Sequence, residues 1–299
     1  MDGIVHYDTC PVCNSNNISP LLTVKDHTVS GKEFVIWHCQ QCTLRFTQDV
    51  PSEDSIGDYY KAEEYISHTD TSKGLVNKLY KKVRQYTLQQ KAGLIISEAG
   101  IKEGRILDLG CGTGSFVDVM KKRGWKVTGI EQDSDARKMA KELYSLDILP
   151  SSEFKNLQYK SFDVITLWHV MEHIHDLHAY VEQLKTILKD NGKIFIAVPN
   201  YNSSDADAYK LYWAAYDVPR HLYHFTPKAM ALLMQQHGLK IISMKPMWFD
   251  SYYISMLSSK YKNGKIKWPG AILNGIKSSL KTIQNKERSS SLIYVITKN

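Results

Sequence analysis

The stretch LWHVMEHIHD, residues 167–176, sets three histidines and two acids within ten positions. His169-x-x-Glu172-His173 fits the H-x-x-E-H pattern of an inverted zinc protease, in which two histidines hold a catalytic metal. A second metal chemistry stands near the N-terminus, where Cys10-Pro-Val-Cys13 and Cys39-Gln-Gln-Cys42 form two C-x-x-C pairs. Each pair puts two thiolates on one tight turn. Two such turns supply four corners of a tetrahedron, which suits a structural Zn2+ on Cys10, Cys13, Cys39 and Cys42 with no open position. Cys111 makes the cysteine count five. An odd count with two such pairs argues for metal rather than disulfides.

The third constellation is RILDLGCGTGSF, residues 105–116. A short buried strand runs into Gly110-x-Gly112-x-Gly114 and then an apolar-periodic helix, the arrangement that lets backbone approach a nucleotide closely. The spacing is G-x-G-x-G, whereas a dinucleotide fingerprint is G-x-G-x-x-G. Asp108, two residues before the first glycine, would repel a pyrophosphate and suits a cationic ligand. A second strand, within KVTGIEQD (126–133), ends in Glu131, where a carboxylate can accept hydrogen bonds from both ribose hydroxyls.

These residues resemble the class I S-adenosylmethionine-dependent methyltransferases over about residues 76–248 and the last strand. The resemblance implies S-adenosylmethionine as cofactor, held by Asp108, Gly110, Cys111, Gly112, Gly114, Glu131, Gln132 and Trp168. Cys111 is then a small turn residue and not a nucleophile. It also implies an α/β fold with a Rossmann-like, seven-stranded, mostly parallel sheet whose last strand is antiparallel. The family often has an acid after the third strand, where adenine sits; LDILPSSEF (146–154) offers Pro150, Ser151 and Ser152 there.

In that frame the histidine-rich stretch lies at the end of the fourth strand, Phe162 to Leu167, with a helix expected just after. A catalytic metal at His169 loses ground, because His169 stands at a strand mouth and not inside a helix. His169 becomes a candidate beside the methyl donor or substrate. No N-P-P-Y run follows the strand, which argues against methylation of exocyclic base nitrogens. His221 is the first candidate for the base that removes a proton from the acceptor. Pro219-Arg220-His221 is similar to a Tyr-x-Glu-His run in zinc-ribbon methyltransferases of nucleotide-linked keto-sugars, with Arg220 in place of Glu. The run PRHLYHFT also resembles small-molecule O-methyltransferases, including ubiquinone-biosynthesis types. Arg220 is a candidate for binding a carboxylate or phosphate.

The elements that must position these groups follow from the pattern. Residues 1–50 read as a zinc-ribbon-like unit, with strands at 32–38 and 43–47, and 51–98 as a linker and helix. Residues 99–299 read as the methyltransferase domain, with an aromatic lid at 201–225 and an insertion at 250–290. The tyrosines of DYYKAEEYISHTD (58–70) offer local packing or a further lid. Asn14 and Thr43, just after the second cysteine of each pair, fall where a turn asks for positive φ. A stripe from Leu75 and Leu79 to Ile96 marks the helix.

Of 299 residues, 43% are hydrophobic and 23% charged, an ordinary globular balance. The start of the chain has no basic, apolar leader pattern, so the cytoplasm is the expected compartment. The net charge of +7 is a C-terminal feature: residues 251–299 carry nine Lys or Arg against Glu287 alone. The basic amphipathic insertion suggests peripheral membrane contact, a homodimer face or internal packing. The leading expectation is methyl transfer to oxygen or carbon of a small molecule, sugar nucleotide or lipid-linked intermediate. An RNA methyltransferase using ribbon and basic tail, or a non-catalytic S-adenosylmethionine binder, are the alternatives; nucleic acid is the less favoured partner.

Overall fold

The computed structural model describes residues 3–60 and 75–299, with residues 75–82 described by backbone alone. The part of the 58–70 tyrosine segment from residue 61 on, and the side chains of Leu75 and Leu79, therefore lie outside the described residues.

The N-terminal part comprises β1 (Ile4–Val5), β2 (Ile18–Lys25), β3 (Glu33–Cys39), β4 (Arg45–Thr47) and β5 (Val50–Pro51). β2, β3 and β4 pair antiparallel in sequence order, as the alternation at 32–38 and 43–47 requires. Asn14 and Thr43 do take positive φ, 56° and 66°. Their amides donate to the Cys10 and Cys39 carbonyls at 2.9 Å, which closes each cysteine turn.

The rest follows as α1 (Leu75–Ala99), β6 (Arg105–Leu109), α2 (Ser115–Lys122), β7 (Lys126–Ile130), α3 (Ser134–Tyr144), β8 (Phe162–Trp168), α4 (Leu177–Ile187) and β9 (Leu188–Pro199). Then come α5 (Ser204–Tyr209), β10 (Tyr223–His224), α6 (Pro227–Gln236), β11 (Leu239–Pro246), α7 (Asp250–Asn263), α8 (Trp268–Gln284) and β12 (Ser291–Lys298). The main sheet runs β11-β12-β9-β8-β6-β7. β7, β6, β8 and β9 are mutually parallel, and β12 inserts antiparallel between β9 and β11.

The sheet thus has six strands, not the expected seven. The chain at 146–150 contributes one parallel bridge, Ile130 to Leu149, and then turns into a 3-10 helix at Ser151–Asn156. Pro150 has no N–H to extend the ladder beyond that bridge. A second correction falls after β8, where a 3-10 turn at Met171–His173 comes first. The α-helix starts only at Leu177, capped by Asp176, whose carboxylate accepts the Ala179 amide.

Both faces of the sheet are covered, which explains the continuous apolar runs of its strands. Ile106, Val164, Phe195, Ala197, Ile293 and Val295 pack against α1 and α2 through Ala92, Ile95, Phe116 and Met120. The alternate residues Leu107, Leu109, Ile165, Leu167, Ile194 and Ile196 face α4 and α6. That second core continues without a break into Cys10, Cys42, Leu44 and Phe46. The ribbon is therefore part of one apolar interior.

The joint is built from the segment expected as a lid. β10 pairs antiparallel with β4, Tyr223 opposite Phe46 and His224 opposite Arg45, so the ribbon sheet reads β10-β4-β3-β2. Tyr201, Tyr209, Trp213, Tyr216 and Tyr223 are all buried. Side chains reinforce the seam. The Thr43 and Thr226 hydroxyls lie 2.7 Å apart, and the Thr47 hydroxyl donates to the His221 carbonyl at 2.7 Å. His175 and His178, on the β8 to α4 side, reach the Pro51 and Pro11 carbonyls through Nε2.

Candidate functional site

The glycine turn after β6 sits in the expected place and in the expected shape. Gly110, Gly112 and Gly114 have φ of 63°, 54° and 77°. A Cβ on Gly110 would lie 2.6 Å from Val170 Cγ2, whereas one on Gly112 would meet nothing within 4 Å among the described residues. The turn is thus packed on its Val170 side and open at its centre, where a ligand can approach backbone. Gly114 leads directly into α2, whose first amides face the same space.

Two carboxylates flank this opening. Asp108 is buried, and its Oδ1 accepts the Thr166 hydroxyl at 2.6 Å. Burial pushes its pKa up to about 7; the Thr166 hydrogen bond and the Lys91 charge pull the other way. A buried carboxylate of that kind gains most from a cationic ligand. Glu131 Oε2 accepts the Gly112 amide at 2.7 Å and its Oε1 the Asp133 amide at 3.0 Å. It therefore stands at the end of β7, within reach of the glycine turn. Gln132 follows it, exposed, with its carbonyl bonded to Arg137. Cys111 is half-buried, and burial together with Asp108 and Glu131 pushes its thiol pKa up, away from nucleophilic use. Trp168, at the end of β8, packs edge-on against Phe116 and leaves its buried Nε1 without a partner among the described residues. The open turn, the buried acid and the orphan indole N–H together fit S-adenosylmethionine.

Three residues here carried no local sequence signal. Lys91 of α1 holds its ammonium 4.2 Å from the Trp168 ring centroid. Burial lowers its pKa, and the Asp250 and Asp108 charges act against that. Arg84 of α1 donates to the Ser115 hydroxyl at 2.8 Å, at the start of α2. Asp250, the first residue of α7, reaches His169. Lys91 and Arg84 belong to a helix that packs on α2, whereas Asp250 belongs to the insertion and had no signal at all.

His169 sits at φ 59°, in the left-handed region, directly after β8. Its Nδ1 lies 3.2 Å from Glu172 Oε1 and its Nε2 3.1 Å from Asp250 Oδ2. Burial works against its charge, but the hydrogen bonds from Asp250 and Glu172 outweigh burial and push its pKa up to about 10. A protonated imidazole with both nitrogens engaged has no lone pair to offer. His169 thus ties the β8 rim to the insertion through both ring nitrogens.

His221 comes to the same rim from the other side. The Leu222 amide donates to the Glu172 carbonyl at 2.7 Å, and the His173 and His221 rings meet edge to face at 4.7 Å. His221 Nδ1 lies 2.9 Å from the Ala215 carbonyl. A carbonyl only accepts, so Nδ1 carries a proton, and in the neutral ring Nε2 is the acceptor nitrogen. Asp217 Oδ2 lies 3.9 Å from that Nε2. His173 Nδ1 has the Arg220 carbonyl at 3.0 Å and the Tyr60 hydroxyl at 2.9 Å. Burial and the neighbouring His221 lower its pKa to about 4. Glu172 is fully buried and its Oε2 has no hydrogen-bond partner among the described residues. Glu172, His173 and His221 bring one ligand-type atom each within 4.8 Å of one another.

Arg220 does not face a substrate anion. It is fully buried, donates to Asp217 at 2.6 and 3.0 Å, to Asp26 at 3.2 Å and to the Tyr59 carbonyl at 2.9 Å. Its guanidinium joins the ribbon to the His221 segment, so the expected carboxylate or phosphate contact is replaced by a structural one.

The four N-terminal cysteines converge as expected. Cys10 and Cys42 sulfurs lie 3.5 Å apart, as do those of Cys13 and Cys39, and all four fall within 4.8 Å. Zn–S bonds of about 2.3 Å in a tetrahedron put sulfurs about 3.8 Å apart, so the donor set fits zinc closely.

Comparison with known proteins agrees with this geometry. The family described as "Methyltransferase domain" matches residues 80–244. Ubiquinone biosynthesis O-methyltransferase from Idiomarina loihiensis is 27% identical over 175 residues, covering 54% of this chain and 72% of that protein. The enzyme of the same name from Cupriavidus pinatubonensis is 26% identical, with 54% and 70% covered. The solved structure of magnesium protoporphyrin IX methyltransferase from Synechocystis, with bound SAH, aligns with a TM-score of 0.51 at 12% identity, over 81% of this chain and 97% of that one. That likeness establishes the fold, and the family match extends over more than half of the sequence. The chain belongs to the methyltransferase domain family and is an S-adenosylmethionine-dependent methyltransferase.

Proposed function

We propose that the protein methylates a hydroxyl oxygen of a small molecule, with His221 as the base. The observation that carries this reading is the 2.9 Å contact of His221 Nδ1 with the Ala215 carbonyl, which leaves Nε2 as the nitrogen available beside Asp217. S-adenosylmethionine supplies an electrophilic methyl group when bound. Asp108 would hold its amino group and Glu131 its ribose hydroxyls, and Gly110, Cys111, Gly112, Gly114, Gln132 and Trp168 would line its pocket. His221 takes the acceptor proton at Nε2, and the Asp217 carboxylate steadies the imidazolium that results. His169 positions the wall through its two ion pairs. Relatives named for O-methylation support oxygen as the acceptor. A ribbon whose sheet is bonded into the catalytic core supports a bracing role over an RNA-reading one.

The test is mass spectrometry of a metabolite extract incubated with the protein and methyl-deuterated cofactor. Hydroxylated compounds gaining one labelled methyl group are expected. His221→Gln should lower turnover by about 100-fold or more with cofactor affinity unchanged; labelled amines in place of hydroxyl compounds would refute the reading.

The unpartnered Glu172 Oε2 favours one second reading of the same rim, in which Glu172, His173 and His221 hold a divalent cation that lowers the acceptor hydroxyl pKa. Activity lost to a chelator and restored by Mg2+ or Mn2+, with the four-cysteine zinc retained, would select it.

A further inference from the structure

We propose that the α7–α8 hairpin docks the protein on an anionic lipid bilayer, with α8 lying in the interface plane. The sequence of α8 has two unlike faces. Its inward face is small: Ala271, Gly275, Ser278 and Thr282 are buried, and the Ser278 hydroxyl donates to Asp205 of α5 at 3.0 Å. A Cβ on Gly275 would stand 2.6 Å from the Tyr252 ring of α7, so the two helices touch closely there. Its outward face is large and apolar. Ile272, Leu273, Ile276, Leu280 and Ile283 recur at helical spacing and are 42–69% exposed. Trp268 opens the same helix at 50% exposure. A helix of a water-soluble surface normally turns such a stripe inward. Here no described element covers it.

Charge decides between a bilayer and a second copy of the chain. α8 contains no acid, while Lys277 and Lys281 flank its stripe. Lys260, Lys262, Lys265 and Lys267 occupy the end of α7 and the loop into α8. A symmetric pairing of two such faces would set lysines against lysines. Anionic headgroups instead meet the lysines while the Ile and Leu side chains enter the acyl boundary. Trp268 suits the headgroup level. Among the described residues no helix is long and apolar enough to cross a membrane; a stripe that runs along α8 is buried by lying parallel to the surface. The hairpin begins at Asp250, which is bonded to His169. Docking would therefore set the acceptor side of the site next to the bilayer, though the docking claim does not depend on the chemistry proposed above.

The experiment is co-sedimentation of the full chain with vesicles of phosphatidylcholine alone or with one-third phosphatidylglycerol. Binding is expected to the anionic vesicles only, weaker at about 0.5 M than at about 0.1 M salt. Leu273→Asp with Leu280→Asp should reduce it at least tenfold, and Lys277→Glu with Lys281→Glu should do so at low salt. Both pairs are exposed, so the thermal melt and S-adenosylmethionine binding should stay as in the parent protein. Equal binding by the Asp pair, or no binding by the parent, overturns the proposal. A doubled mass in light scattering that the Asp pair abolishes, without vesicle binding, overturns it in favour of self-association.

Discussion

The cofactor half and the acceptor half of the site are made in opposite ways. The cofactor half comes from one short run of chain. Asp108, the three glycines and Glu131 span 24 residues and two adjacent parallel strands. The acceptor half comes from four distant segments: the Glu172–His173 turn, the 217–224 loop, the ribbon and the start of α7. Its contacts join residues far apart, as with Arg220 and Asp26, or His169 and Asp250. The comparison suggests that one half is fixed by local backbone geometry and the other by metal-dependent docking.

Zinc removal should separate the halves most sharply. A four-thiolate site supplies about 10 kcal/mol or more to the folding of a small ribbon. Chelation, or Cys39→Ser, should raise hydrogen exchange at residues 33–47 and 221–226 while 105–131 stay protected. Elemental analysis of the intact protein should give one zinc per chain. Uniform deprotection would mean that the two halves fold as one unit.

Arg220→Met should come next in size. It leaves Asp26 and Asp217 in the seam without their cation, which costs about 3–5 kcal/mol. For a chain of this length that lowers the melting midpoint by about 10 °C. Cofactor affinity should hold below the melt, because the seam lies outside the glycine turn.

The cofactor half can be sharpened through pH. Free Asp108 titrates near 7, against an ordinary value of 3.8. The folded free protein therefore keeps a proton that the unfolded chain has lost, and this group's share of stability falls as pH rises from about 4 to about 7. A cationic cofactor requires the ionised form. Its affinity should rise by up to about tenfold per unit towards pH 7 and level off above, with a proton released at pH 6. Titrations in buffers of different ionisation heat measure that proton, and Asp108→Asn should abolish its release.

Legibility followed the same division. The shapes of the cysteine turns and of the Asp108 to Glu131 run could be read because they rest on residues close in sequence with backbone angles that only certain residues readily adopt. Thr43 shows the limit: it is a poor residue for positive φ, and its place is held by distant partners, Thr226 and the Tyr201 hydroxyl. The missing third strand was not visible, since Leu146 to Leu149 is apolar enough for a strand and only Pro150 stops it. Arg220 read as an anion binder because sequence shows its charge and not Asp26, 194 residues away. The ion pair of His169 with Asp250 was hidden for the same reason, since the two are 81 residues apart. Long-range ion pairs leave no periodic trace, and they make up much of the acceptor half.

The most direct measurement is calorimetric titration of S-adenosylmethionine into the intact protein, into Glu131→Ala and into His221→Gln. Losing two charge-assisted hydrogen bonds to the ribose should weaken Glu131→Ala by about 10- to 100-fold or more. His221→Gln should bind as the parent does. No binding by the intact protein, or equal affinity in Glu131→Ala, would contradict a methyl-donor site at the glycine turn.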